Sequence, residues 1–284
     1  MLVVQAKLVR RALRRARQMW LHRRLSLDHL PILFANSFPK SGTHLLTQVL
    51  HGFTRLSAAV DSGLPAIATY EGDSGRERPV EDILVDLQRL SPGDIAYGHL
   101  HAVPALISFL CRDGVAPYFI LRDPRDVVVS HVHYVTDMAP EHAHHRYYTE
   151  VLRNFDERLQ ASILGRPDWE EPFPDIRARF EPYLTWLDRP EVLTLSFEEF
   201  VADKPAAIGR VLDHAVRRGF PAPPDRAQAI QLLAAGIEPE RSPTFRRGRV
   251  GGWRERFTPE HKEMFKQVAG DLLVRLGYEG SNDW

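Results

Sequence analysis

One stretch near the start of the chain constrains its fold more than any other. Apolar residues from Leu33 lead into the loop Pro39-Lys40-Ser41-Gly42-Thr43, and a run with helical apolar spacing follows from Leu45 to Phe53. In the order strand, short loop, helix, the backbone N–H groups, the helix dipole and a lysine converge on one anion. The stretch therefore predicts an anion-binding loop at the carboxyl end of a buried strand.

The loop is close to the Walker A pattern without matching it. Walker A places its lysine directly after the second glycine, in G-x-x-x-x-G-K-[ST]. Here Lys40 precedes Gly42, and Asn36 or Ser37 stands near the position of the leading glycine. A P-loop kinase or NTPase therefore stays an alternative, and so does an ordinary strand–helix turn that happens to contain a lysine.

The charge of the chain is balanced in total but unevenly distributed. The 284 residues contain 37 cations and 37 acids, and residues 1–24 hold eight of the cations and none of the acids. The remainder therefore has 29 cations against 37 acids, a formal net charge of −8. A balanced total gives no field that would attract nucleic acid. The single cysteine excludes an internal disulfide and suits a reducing compartment, so we expect a soluble cytoplasmic protein.

Residues 2–21 have the pattern of a basic amphipathic helix, with apolar side chains recurring every four residues from Val4 to Trp20. The pattern leaves two interpretations open. The helix contacts an anionic membrane surface or a partner, or it packs on the domain with its arginine face in solvent. We treat residues 1–25 as this helix and residues 30–278 as the domain. No apolar run approaches the length of a membrane span.

Strand and helix patterns alternate through the rest of the chain. Buried strands are predicted at Asp94–Tyr97, Pro117–Leu121 and Val192–Leu195. Helical spacing is found in residues 80–90, 103–110, 154–164, 206–217, 225–235 and 259–276, whereas residues 60–80 have the composition of a surface loop. This alternation predicts an α/β fold, a single domain with a central parallel β-sheet flanked by helices, similar to the P-loop NTPases.

A second strand–loop–helix turn follows the strand that ends at Leu121. Asp123 is placed to cap the next helix, Pro124 suits its first position, and Asp126 suits the positive end of its dipole. Arg122 leaves the strand, and Ser130 lies about two turns into the helix. A guanidinium and a hydroxyl so placed can bind one phosphate.

Three segments together resemble the cytosolic-type sulfotransferases, which use 3′-phosphoadenosine 5′-phosphosulfate (PAPS). Pro39–Thr43 resembles their 5′-phosphosulfate loop, and residues 122–130 resemble their 3′-phosphate motif. Residues 246–254 resemble their C-terminal Arg-Lys-Gly…Gly-Asp-Trp-Lys segment. The resemblance covers about residues 32–258 and implies the sulfotransferase fold, with PAPS as co-substrate and no metal required. The donor-binding residues that it implies are Lys40, Ser41, Gly42, Thr43, His44, Arg122, Ser130, Phe197, Arg246, Arg247 and Gly248.

The same resemblance implies a general base. In the family a histidine in Thr-His-Leu-Pro or Gly-His-Leu-Pro deprotonates the acceptor, and Gly98-His99-Leu100 matches this motif, with His101 where proline is usual. His99 is therefore the first candidate and His101 the second. The implied reaction is in-line transfer of the sulfuryl group to a hydroxyl or amine, with His99 taking the proton and Lys40 stabilising the leaving phosphate. A catalytically silent nucleotide-binding protein is a further alternative.

The chain departs from the family at the adenine and leaves the acceptor open. Leu45 and Ile237 stand where the family often has aromatic residues around adenine, which predicts an aliphatic adenine slot. The acceptor could be a small molecule, a lipid or a glycan that bears a hydroxyl. His142, His144 and His145 lack the paired spacing of structural zinc sites, so we predict no metal site there. That region is interpreted as surface or as a border of the acceptor pocket.

Overall fold

The computed structural model describes residues 2–72, 74–166, 173–238, 240 and 248–284, and of residues 2–8 the backbone alone. The strands in this part of the chain are β1 (Ile32–Ser37), β2 (Val60–Asp61), β3 (Ile67–Ala68), β4 (Asp94–His99), β5 (Val115–Leu121) and β6 (Leu193–Ser196). The helices are α1 (Leu2–Leu21), α2 (Thr43–Gly52), α3 (Val80–Gln88), α4 (Pro104–Leu110), α5 (Pro124–His133), α6 (Phe155–Leu164), α7 (Ile176–Leu184), α8 (Phe197–Ala202), α9 (Lys204–Arg217), α10 (Arg226–Ala234), α11 (Pro259–Ala269) and α12 (Leu272–Arg275).

All six described strands belong to one parallel sheet. Its order is β2-β4-β1-β5-β6, and β3 also pairs with β4. The central strand β1 is buried at every position, as expected for a continuous apolar strand covered on both faces. The carboxyl ends of β1 and β4 are neighbours, because Asn36 is paired with Gly98. The predicted sheet of parallel strands is confirmed.

The chain forms two compact units, each made of segments that alternate along the sequence. Unit 1 contains the whole sheet with α1 to α4 and α8 to α10, and consists of Met1–Thr69, Pro79–Leu121 and Thr185–Ser242. Unit 2 contains α5 to α7, α11 and α12, and consists of Tyr70–Arg78, Arg122–Leu184 and Pro243–Trp284.

The core of unit 1 is an apolar cluster that joins the sheet to α2, α9 and α10. Leu46 of α2, Ile208 of α9 and Leu233 of α10 are completely buried in it, together with Leu33 and Tyr118 from the strands. Burial of this apolar surface is the main driving force that holds α2, and therefore the loop before it, on the sheet.

The prediction of a surface loop over residues 60–80 is wrong in part. Strands β2 and β3 lie there, with Val60 and Ile67 buried. Each strand has only two residues, too few for an alternating pattern in the sequence, and each forms because the edge of β4 offers hydrogen-bond partners. The predicted last helix, residues 259–276, is likewise two helices, since Gly270 between them has a φ of 56°.

Helix α1 is confirmed, but three of its arginines contact the protein. Arg11 and Arg15 both bind the carboxylate of Asp94, whose side chain is fully buried at the start of β4. Arg14 donates a hydrogen bond to the carbonyl of Ser62. The arginines therefore attach the helix to unit 1. In the described part of the chain, no helix is both long and apolar enough to cross a membrane.

Candidate functional site

The loop between β1 and α2 contains two residues with left-handed backbone. The φ angles are 68° at Lys40 and 97° at Gly42. A Cβ atom on Gly42 would lie 2.8 Å from Cδ2 of Phe197 and 3.3 Å from Cδ1 of Ile120, so only glycine fits there. Positive φ is uncommon for a residue with a side chain and clusters at functional sites. The fold therefore holds Lys40 in a conformation that lysine does not favour.

Helix α2 begins without a side-chain cap, although its first N–H groups have no partner inside the helix. Its first turn contains no acidic residue. The Oγ atom of Ser41 is buried and has no hydrogen-bond partner among the described residues, which is unusual for a buried hydroxyl. The N–H of Ser41 donates to the carbonyl of Phe38, so within residues 41–44 the amides left for a ligand are those of 42–44. These features fit an anion bound at the helix N-terminus.

His99 lies at the end of β4 and is connected to this loop through Ser37. Its Nδ1 atom is 3.1 Å from the carbonyl oxygen of Ser37 and 3.0 Å from the Ser37 Oγ atom. That Oγ atom is in turn 2.7 Å from Oγ1 of Thr43, in the first turn of α2. When Nδ1 carries the proton and donates it to the carbonyl, Nε2 has a lone pair with which to accept a proton. The geometry therefore suits His99 as a base.

Burial, the largest cause, lowers the pKa of His99 to about 4 together with the charges of His44 and Lys40, although the hydrogen bond to Ser37 acts in the opposite direction. The side chain is therefore neutral near pH 7. A negatively charged ligand beside it would raise the pKa again, because an opposite charge favours the imidazolium. Burial also lowers the pKa of His101 to about 4, and the N–H of His101 donates to Oγ1 of Thr69.

Asn36 fixes the residue that follows His99, a role that sequence reasoning missed. Its Nδ2 atom donates to the carbonyl of Leu100 at 3.0 Å, and its Oδ1 atom accepts the N–H of Leu100 at 2.8 Å. Trp186 donates to the same carbonyl through Nε1 at 2.8 Å. The only sequence signal for this clamp is an asparagine that directly follows an apolar run.

A cavity of about 460 Å³ runs along α2 within unit 1. Gln48 in its lining exchanges two hydrogen bonds with the backbone of Glu238. Burial, followed by the charge of Lys40, lowers the pKa of His44, which also lines the cavity. Leu45 and Ile237, the residues predicted to border adenine, are partly buried against the apolar core. The volume is in the range of small-molecule sites.

In unit 2, the predicted start of α5 is confirmed. The Asp123 carboxylate accepts the N–H of Arg125 at 2.9 Å, and Pro124 occupies the first turn. Arg122 donates to the carbonyl of Arg249 at 2.7 Å, whereas Ser130, two turns into α5, is partly buried. Binding of a phosphate by Arg122 and Ser130 stays a prediction.

Asp126 connects residues 122–130, which resemble the 3′-phosphate motif, to the C-terminal segment that resembles Gly-Asp-Trp-Lys. Its expected role at the helix dipole did not predict this connection. Its two carboxylate oxygens accept the N–H groups of Gly251 at 2.8 Å and of Trp253 at 2.9 Å. Gly248 is exposed, and its φ is 58°. Arg246 and Arg247 lie outside the described residues. Asp126 therefore holds the backbone at Gly251 and Trp253 in place.

The histidine-rich region of unit 2 forms a cluster of rings. The ring of His131 stacks on that of Phe173 at 5.0 Å, and the rings of His144 and Phe173 are 4.5 Å apart. Tyr148 is buried beside His131, so this part of the region is not surface. No group of three or more metal-binding side chains occurs among the described residues.

The chain is similar to known proteins in its three-dimensional structure. No family model and no curated protein matches the sequence. The structure of mouse sulfotransferase SULT7A1 complexed with PAP matches with a TM-score of 0.58 and 18% identity, over 90% of each chain. Retinol dehydratase with androsterone and the inactive cofactor PAP matches with a TM-score of 0.57 and 17% identity, over 87% of this chain and 83% of that one. Its complex with retinol and PAP matches with a TM-score of 0.54 and 18% identity, with the same coverage.

These likenesses confirm the predicted fold class, a single α/β domain whose central parallel sheet is flanked by helices. At sequence identities of 17–18% these likenesses establish the fold, and they do not establish an activity or a substrate. The chain therefore has the sulfotransferase fold.

Proposed function

We propose that this protein is a PAPS-dependent sulfotransferase that transfers the sulfuryl group to a hydroxyl of a small-molecule acceptor. The observation that carries the proposal is the loop before α2, where Lys40, the uncapped helix and the buried hydroxyl of Ser41 surround a place for an anion. His99 is connected to the same loop through Ser37. The fold and the PAP in the matching structures support the same donor.

In the proposed reaction the acceptor oxygen attacks sulfur while the bond from sulfur to the phosphate oxygen breaks. The electron pair of that bond leaves with 3′,5′-bisphosphate, and Nε2 of His99 takes the acceptor proton. Lys40 and the N–H groups of residues 42–44 stabilise the charge on the leaving phosphate. Donors of this kind contribute about 10²–10³ in rate each, and a general base about 10²–10⁴.

Further residues would contact PAPS at its 5′-phosphosulfate and at its 3′-phosphate. Ser41, Gly42, Thr43 and His44 surround the sulfated phosphate, and Phe197 packs behind Gly42. Arg122 and Ser130 would bind the 3′-phosphate, as the resemblance implies, together with the segment of Arg246, Arg247 and Gly248. We propose no metal, because the transferred sulfuryl group carries one negative charge fewer than a γ-phosphoryl group.

The acceptor is proposed as a small molecule with a hydroxyl group. Structures of retinol dehydratase, one of the similar proteins, hold androsterone or retinol, which supports an acceptor of this size. A lipid or a glycan acceptor is a competing outcome of the test.

The test incubates the protein with ³⁵S-labelled PAPS and a panel of phenols, aliphatic alcohols, amines, lipids and glycans. We expect labelled product from at least one small alcohol or phenol, and its loss in Lys40→Ala and His99→Ala. Binding of 3′,5′-bisphosphate is measured in parallel by calorimetry. Absence of both binding and transfer would refute the proposal, and magnesium-dependent turnover of ATP would favour an NTPase. Bisphosphate binding without any transfer would indicate a silent binding protein.

A further inference from the structure

Helix α1 is oriented with its charged side toward the protein. Arg11 and Arg15 bind the buried carboxylate of Asp94, the latter at 2.8 Å. On the same side, Nε2 of His22, just after the helix, lies 3.0 Å from the carbonyl oxygen of Thr54. Surface helices of globular proteins usually do the reverse and turn their apolar side inward. The orientation leaves the apolar side of α1 in solvent.

The apolar side forms one continuous strip, which we call the α1 strip. Val9 is 58% exposed, Leu13 64% and Trp20 79%. Ala16 is also exposed and completes the spacing of three and four residues that places side chains on one face of a helix. Leu25, four residues after the end of the helix, is 98% exposed. Isolated exposed apolar residues are ordinary, but a strip along one helix marks an interaction surface.

Cations border the α1 strip. At 100° per residue, Arg10 and Arg17 lie on one flank of the strip, and both are exposed. Arg23 and Arg24 are exposed at its carboxyl end. The chain contains no acidic residue before Asp28. The surface therefore combines apolar side chains with uncompensated positive charge.

We propose that the α1 strip docks this protein on the surface of an anionic lipid membrane, with the helix lying in the plane of the interface. An apolar face that enters the acyl boundary, bordered by arginines at the level of the phosphates, is the composition of interfacial helices. The indole of Trp20 suits this interface because one side of it is apolar and the other polar. The proposal does not depend on the sulfotransferase reaction.

Charge favours a membrane over a second copy of the chain. A symmetric dimer through the α1 strip would bring two arginine borders together, which is unfavourable. An anionic membrane attracts the same borders. It also repels the remainder of the chain, which has a formal net charge of −8, so the α1 strip would set the orientation of the bound protein.

The contacts with Asp94 make the strip a preformed surface. Many interfacial helices fold only on the membrane and lose conformational entropy when they bind. Here α1 is already attached to unit 1 by Arg11, Arg14 and Arg15. Preorganisation of this kind lowers the ordering penalty of association.

The experiment is sedimentation of the full chain with phosphatidylcholine vesicles that contain or lack phosphatidylserine. We expect binding to the vesicles that contain phosphatidylserine, weakened by salt. Arg10→Gln/Arg17→Gln should weaken it roughly twenty-fivefold, at about fivefold for each arginine. Leu13→Ser/Trp20→Ser should weaken it by more than about tenfold, because two apolar side chains no longer enter the lipid.

Matched controls make the same changes at exposed positions elsewhere. They are Val85→Ser/Leu232→Ser for the apolar pair and Arg153→Gln/Lys204→Gln for the charged pair. Both should bind vesicles like the unmodified protein, and circular dichroism checks that every variant is folded. Transfer to a soluble acceptor should be unchanged in all four variants, which separates this proposal from the enzymatic one.

Three results would overturn the proposal. The first is no sedimentation with phosphatidylserine vesicles, and the second is equal loss of binding in the control variants. The third is a dimer in solution that Leu13→Ser/Trp20→Ser dissociates, because the strip would then be an interface between copies. Loss of binding in the arginine variant alone would contradict the apolar part of the docking surface.

Discussion

The turn from β1 to α2 and the turn from β5 to α5 have the same order of elements but treat their helix N-termini in opposite ways. Helix α2 begins at an uncapped glycine, with the buried hydroxyl of Ser41 beside it. Helix α5 begins with a proline, and the carboxylate of Asp123 caps it. Asp123 also binds the guanidinium of Arg125, which lies over the ring of Trp253.

The difference concerns where the hydrogen-bond donors are directed. At α2 the backbone N–H groups of residues 42–44 are directed to the proposed anion site, which lies beside Lys40. At α5 the protein uses the first donors for its own stability, and a ligand would have to be bound by side chains such as Arg122 and Ser130. Variants at α2 should therefore affect the reaction, and variants at the α5 cap should affect stability.

The largest effect is expected at the α5 cap. Asp123→Ala removes the cap and leaves Arg125 buried with Glu279 as its remaining carboxylate partner. Breaking a buried ion pair typically costs about 3–5 kcal/mol of unfolding free energy. Urea denaturation measures it, with Asp213→Ala, a partly exposed aspartate paired with an exposed arginine, as the control. Equal destabilisation by Asp123→Ala and Asp213→Ala would contradict a special role of the α5 cap in stability.

The next effect concerns Lys40. Lys40→Ala should lower kcat for sulfuryl transfer by about 10²–10³ and leave the unfolding free energy nearly unchanged, because in the proposed reaction its charge acts on the leaving phosphate. Steady-state kinetics at saturating donor measures this, with the exposed Lys204→Ala as the control. A change confined to KM would show that Lys40 binds the ground state only.

A smaller effect on stability is expected at Gly42. Gly42→Ala puts a methyl group against Phe197 and forces a positive φ, a change of about 1–3 kcal/mol. Gly114→Ala is a matched control, since its φ is 79° and nothing lies within 4 Å of the added Cβ. Both should lower the melting temperature, but only Gly42→Ala should weaken binding of 3′,5′-bisphosphate. If Gly114→Ala also weakened binding of 3′,5′-bisphosphate, the weaker binding would result from general destabilisation and not from a change in the loop before α2.

The smallest effect, taken per pH unit, is a pH dependence of stability to which the α2 site contributes. His99 and His101 have pKa values near 4 in the folded protein, below the 6.5 of the unfolded chain. Between these values the unfolded state binds more protons, so stability should fall as pH drops from 6.5 toward 4. Each histidine contributes up to about 1.4 kcal/mol per pH unit. Thermal melts of His99→Gln should show a shallower pH dependence, and an unchanged slope would contradict the burial of His99.

Local patterns were enough to predict the parts of the molecule that depend on neighbouring residues. The strand before Lys40, the loop, and the cap at Asp123 are each encoded within a few positions, and all were predicted from the sequence. The resemblance of three such segments also predicted the fold. Which ligand these segments bind stays a prediction, because it depends on residues from several segments at once.

What the sequence did not indicate depends on residues far apart in the chain. The clamp of Asn36 on Leu100 spans 64 positions, and Asp126 reaches across 125 positions to Gly251. The orientation of α1 is another example. Amphipathic spacing shows that a helix has two faces, but the buried carboxylate of Asp94 decides which face contacts the protein.

The contact between α1 and Asp94 also has a consequence for the order of folding during synthesis. Arg11 and Asp94 are 83 positions apart, so the ribosome completes α1 well before it delivers the carboxylate that the helix needs. Through that interval the cations of α1 and its apolar side are both uncovered, on a nascent chain that still lacks β4. Helix α1 therefore cannot dock through Asp94 until β4 has been made, although α2 and α3 are made in the interval.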